Sequence, residues 1–80
     1  MESRQNEKCF IEYREDKKEI FGRDLTDQNN DSAFFTKSKR GLKKAWAEVV
    51  KQFTPETRMH DLLTIMQNNG VKMHYWCMVD

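Results

Sequence analysis

The chain has little of what usually advertises a chemistry. Its 80 residues include two cysteines, three glycines and one proline. So few glycines, none clustered, exclude a phosphate-cradling loop, which needs several bare backbone positions at close approach to the ligand. No Cys-x-x-Cys occurs. Cys9, His60, His74 and Cys77 form a nominal Cys₂His₂ set, but His74 and Cys77 lie three apart on an expected strand and so face opposite ways. No metal and no cofactor are expected. Cys9 and Cys77 read as reduced, half-buried thiols, because secreted domains this small usually carry more cysteine. They would face each other only if the first and last strands paired antiparallel. No run approaches the ~20 apolar residues that cross a bilayer. No apolar segment of the secretory type follows MESRQNEK, so the expectation is an intracellular protein, cytoplasmic or nuclear, without a membrane partner.

Catalytic groupings are also missing. A nucleophilic Cys needs a base within hydrogen-bond reach. Cys77 with His60 is the one imaginable pair, and a partly buried structural histidine is the ordinary reading of His60. Glu48, Glu56 and Asp61 are separated carboxylates on helix surfaces. The chain is read as a non-enzyme.

What is present is polarity with an aromatic minority. Charged residues make up 34% and apolar residues 38%, while aromatics at 11% are too many for a disordered tail. One domain of this length buries roughly 60–65% of its unfolded surface, which leaves a small core. The net charge of +1 hides an asymmetry: residues 1–36 carry −3 and residues 37–80 carry +4.

Periodicity gives the elements. In Lys8–Arg14, Cys9, Ile11 and Tyr13 share one face, as in a strand. "EDKK" reads as a turn and "EIFGRDL" as the second strand of a hairpin, with Gly22 suggesting a bulge or bend. Residues 1–7 are expected to be disordered, and 26–32 a flexible loop. "AFFT" is a short strand or a packing segment. Leu42, Trp46, Val49, Val50 and Phe53 fall on one helical stripe, with Ser38 as the expected N-cap. Pro55 ends that helix, and "TPET" is read as opening a second one, capped by Thr54. Met59, Leu62, Leu63 and Met66 form its stripe, Ile65 sits on the shoulder, and Gly70 closes it. In "VKMHYWCMVD", Val71, Met73, Tyr75, Cys77 and Val79 share an apolar face. The helix pair is expected to cover that face, with the strand inside the sheet. The result is a small single α+β domain of order β-β-(β)-α-α-β.

Two surfaces are candidates for binding. Trp76 and Met78 lie on the opposite face of the last strand. Phe10 would lie beside Trp76 if the terminal strands are neighbours, making a protein interface, in its simplest form a homodimer closing sheet on sheet. The stretch "KSKRGLKK" offers Lys37, Lys39, Arg40, Lys43 and Lys44 to nucleic-acid phosphates. The expected function is that of a non-enzymatic regulatory or binding protein, an adaptor, inhibitor or assembly factor, acting on a protein partner. The alternative is an RNA- or DNA-binding module using the basic stretch.

Overall fold

A computed structural model describes residues 2–26, 30–37 and 39–79; for 30, 31 and 76–79 it describes the backbone alone. The elements are β1 (Glu2–Gln5), β2 (Cys9–Arg14), β3 (Glu19–Asp24), β4 (Asn30–Thr36), α1 (Leu42–Gln52), α2 (Met59–Asn68) and β5 (Met73–Val79). The five strands form one antiparallel sheet in the order β1-β2-β3-β4-β5. The α+β class and the expected order of strands and helices hold. Residues 15–18 make the β2–β3 turn, with Lys18 at φ 51 and its amide bonded to the Glu15 carbonyl at 3.2 Å. That turn pairs Arg14 with Glu19 and so sets the register of the hairpin.

The core lies between the helices and one face of the sheet. Cys9, Ile11, Ile20 and Phe34 supply fully buried side chains from the strands; Ala45, Val49, Leu62 and Met66 supply them from the helices. A large apolar side chain buried this completely contributes about 1.5–3 kcal/mol. Trp46 closes one side of the core. Its ring lies 5.9 Å from that of Tyr13, and its indole N–H donates to the Glu2 carboxylate at 2.9 Å.

Gly22 forms no bulge. Ile11, Gly22 and Phe34 are aligned across three strands in regular register. A Cβ on Gly22 would lie 2.2 Å from Cε2 of Phe34. The missing side chain is the space in which the Phe34 ring sits, which is the close-approach use of a strand glycine.

The N-terminal residues also depart from expectation. Instead of disorder, Glu2–Gln5 pair with β2. The segment is polar and does not alternate; what holds it is non-local. Asn6 donates to the carbonyls of Thr54 and Thr57, both at 2.9 Å, and its side-chain oxygen accepts from the amides of Lys8 (2.7 Å) and Cys9 (2.8 Å). One side chain thereby ties the β1–β2 turn to the connection between the helices. The expected 26–32 loop is shortened from its far side, because β4 begins at Asn30; residues 27–29 lie outside the described residues.

Both helix starts shift. The helix α1 begins after Gly41, which takes a left-handed φ of 74 as its N-cap; Ser38, the expected cap, lies outside the described residues and four positions from the first helical residue. Val50 is 37% exposed, and Ala45 takes its place on the buried stripe. "TPET" is a turn, not the first turn of α2. Thr54 Oγ1 accepts from the Glu56 amide at 3.1 Å, and the Thr57 hydroxyl accepts from the Thr54 amide at 3.0 Å. The helix α2 starts at Met59, where Asp61 reaches back to the Arg58 amide at 3.0 Å. Its end is as expected. Gly70 has φ 70; its amide bonds to Gln67 and that of Val71 to Met66, a Schellman closure with both Val71 and Met66 buried.

The last strand is an edge strand. β5 pairs with β4 alone, so it does not lie inside the sheet. The helices cover its beginning, where Val71 is buried and Met73 packs on the core, but Tyr75 is 51% exposed. Strands twist away from a two-helix layer, and the far end of an edge strand is the first part to leave its cover.

Candidate functional site

Both helices pack on one face of the sheet, and among the described residues no element covers the other. That helix-free face carries Ser3, Gln5, Phe10, Glu12, Arg14, Glu19, Phe21, Arg23, Ala33, Phe35 and His74, as strand alternation and register require. Phe10, Phe21 and Phe35 are half-buried. They are not loose side chains. The Arg14 guanidinium lies 5.2 Å over the Phe21 ring, and the rings of Phe35 and His74 are 5.1 Å apart. Arg14 is held by Glu12 at 2.6 Å and by Glu19 at 3.3 Å, so its charge is compensated in place.

Trp76 and Met78 belong to this face by backbone position. Trp76 pairs with Ala33, Ala33 pairs with Arg23, and Arg23 pairs with Phe10. The expected neighbourhood of Phe10 and Trp76 fails, because β3 and β4 stand between their strands. At ~4.8 Å per strand they lie roughly 14 Å apart in one cross-strand row. The aromatic centre of the face is instead Phe21 and Phe35, a directly opposed pair. Sequence reading missed both, since "EIFGRD" and "AFFT" do not reveal which Phe points outward until the register is known. The two phenylalanines of β4 split: Phe34 is fully buried on the helix side, and Phe35 faces outward.

The same topology separates Cys9 from Cys77, since β2 and β5 do not pair. Cys9 is a free, buried thiol that donates to the Thr57 carbonyl at 3.3 Å. Burial, with the nearby charges of Asp24 and Asp61, pushes its pKa up to about 11. Such a thiol is a poor nucleophile at neutral pH. His60 is not partly buried: its side chain is 72% exposed and lies 3.3 Å from the carboxylate of Asp61.

The basic stretch is on the surface, and it has company. Lys37, Lys39, Arg40, Lys43 and Lys44 are all exposed. The Lys37 amide bonds to the Lys72 carbonyl at 2.8 Å, and Lys18, Lys39, Lys43 and Lys44, with Tyr13 and the single carboxylate Glu15, line an open groove of about 630 Å³. Lys18 and Lys72 were not in the sequence-derived set, because they are remote in the chain.

Among the described residues no helix is long and apolar enough to cross a membrane. No family model matches the chain, and no curated protein or solved structure matches it.

Proposed function

We infer that this chain is a non-catalytic binding protein that docks a protein partner on the helix-free face of its sheet. One observation carries the reading: a sheet that, among the described residues, is covered on one side only, and whose other side holds Phe10, Phe21 and Phe35 amid matched charges. An aromatic centre with a polar, charge-paired rim is the anatomy of a protein interface. The carboxylates of Glu12 and Glu19 on this face disfavour a phosphate backbone there and favour a protein surface of mixed charge.

Affinity capture from the native cell, with and without nuclease, tests the reading. The comparison is between the parent chain and a Phe21→Ser/Phe35→Ser variant shown to be folded by circular dichroism. The parent should hold a protein that survives nuclease, and the variant should lose it. A partner released by nuclease, or held equally by the variant, would sink the assignment to this face.

A further inference from the structure

The lysines at one end of the molecule form a separate feature. Three stretches far apart in sequence meet there: the β2–β3 turn (15–18), residues 37 and 39–44 between β4 and the start of α1, and Lys72 just before β5. Their convergence is fixed by contacts, namely Lys37 with Lys72, Ile20 with Thr36, and the shared groove of Lys18, Lys39, Lys43 and Lys44. These stretches hold eight of the fourteen Lys and Arg of the chain, but two of its thirteen Asp and Glu, Glu15 and Asp16. The acidic-front, basic-back pattern of the sequence therefore becomes a cationic end in space. Among the described residues none of the seven lysines there pairs with a carboxylate, whereas Lys8 at the opposite end pairs with Glu56 at 2.7 Å.

The local design runs against helix stability. Lys43 and Lys44 occupy the first turn of α1, where no acidic residue is present and Gly41 offers no side-chain cap. Cations at the positive end of the helix dipole are unfavourable, and an anion seated there would relieve them. Local rules are commonly broken where a ligand compensates.

We propose that this cationic end is a second binding surface, one that holds the phosphate backbone of a nucleic acid in the groove between the β2–β3 turn and the start of α1. Lysines on both walls suit a chain of phosphates rather than one small anion. Lysine acts as a point charge rather than a planar fork, so the contact reads backbone and not sequence. Nothing in it uses the helix-free face, so the two surfaces are independent.

The test is fluorescence anisotropy of labelled single-stranded and duplex RNA and DNA with the full chain across a salt series. Two variants of equal net charge are compared. One carries Lys18, Lys39, Lys43 and Lys44 changed to Gln; the other carries Arg4, Lys8, Lys51 and Arg58 changed to Gln. Both are checked by circular dichroism. The parent should bind without sequence preference, and more weakly as salt rises. The groove variant should lose at least ~10-fold in affinity and flatten the salt dependence by about 0.7–0.9 in slope per lost contact. The control variant should keep most of both. Equal loss in the two variants would make the effect one of net charge and overturn the site. So would no binding at low salt, or binding to phosphatidylserine vesicles but to no nucleic acid.

Discussion

Two glycines in this chain act for different physical reasons, and substitution separates them. Gly22 is required for space, because the Phe34 ring fills the position of its absent side chain. Gly70 is required for conformation: its φ is 70, and a Cβ there would meet nothing within 4 Å. Gly22→Ala is expected to cost about 1–3 kcal/mol through overpacking, and Gly70→Ala about 1–2 kcal/mol through the left-handed backbone. Urea melts of the singles and of doubles with Phe34→Leu distinguish the causes. The smaller side chain should recover part of the Gly22→Ala loss and none of the Gly70→Ala loss; the same response from both would contradict this account. Cys9 provides a pH signature. Its thiol pKa is raised to about 11 in the folded chain from 9.0, so the folded state holds this proton more tightly than the unfolded one. That stability is fully present below pH 9 and is lost as pH rises toward 11, on the order of 2 kcal/mol in total. Cys9→Ala should lower stability at neutral pH but flatten this alkaline limb. Parallel limbs for parent and variant would show that the thiol is not responsible.

At the level of elements, legibility followed how local each cause is. The hairpin of β2 and β3, the stripe of α2 except that Ile65 and not Leu63 is its buried member, and the Gly70 closure were readable, because alternation, helical spacing and a left-handed cap are written in adjacent residues. The strand β1 was not. "ESRQ" has no apolar alternation, and its anchors are Trp46 and Asn6, the latter bonded to residues 48 and 51 positions away. "TPET" misled for a related reason. A threonine before proline suits a helix cap, but Thr54 spends its hydroxyl on the Glu56 amide inside a turn, and Asp61 caps the helix instead. Asn6→Ala should therefore destabilise more than either Thr54→Ala or Asp61→Ala. The first removes four hydrogen bonds, at about 0.5–1.5 kcal/mol each; the others remove only local contacts, two at most in each case. Asn6→Asp separates the two halves of the role, since it keeps the acceptor for Lys8 and Cys9 and sets a carboxylate against two carbonyls. Thermal melts should order the variants with the Asn6 changes lowest. If Asn6→Ala melts with the parent, β1 is not held by this residue.

For the molecule as a whole, the sheet has one face covered by helices and one that no described element covers, and positive charge is gathered at one end. An open face was expected at Trp76 and Met78, whose side chains lie outside what is described; the aromatic centre at Phe21 and Phe35 was not expected, because which of Phe34 and Phe35 faces outward depends on pairing with β3 and β5. The cationic end was half visible as "KSKRGLKK". Lys18 and Lys72 could join it only through topology. The two surfaces give separable phenotypes. Loss of Phe21 and Phe35 should remove a protein partner and spare nucleic-acid affinity, while loss of the groove lysines should do the reverse, with at most a change in on-rate for the protein. The most direct measurement is side-chain footprinting of the chain alone and with the captured partner, read residue by residue by mass spectrometry. Phe10, Phe21, Phe35 and His74 should lose reactivity on binding, while His60 and Val50 on the outer side of the helices should not change. Protection of His60 and Val50, with the four sheet-face residues unchanged, would contradict docking on the helix-free face.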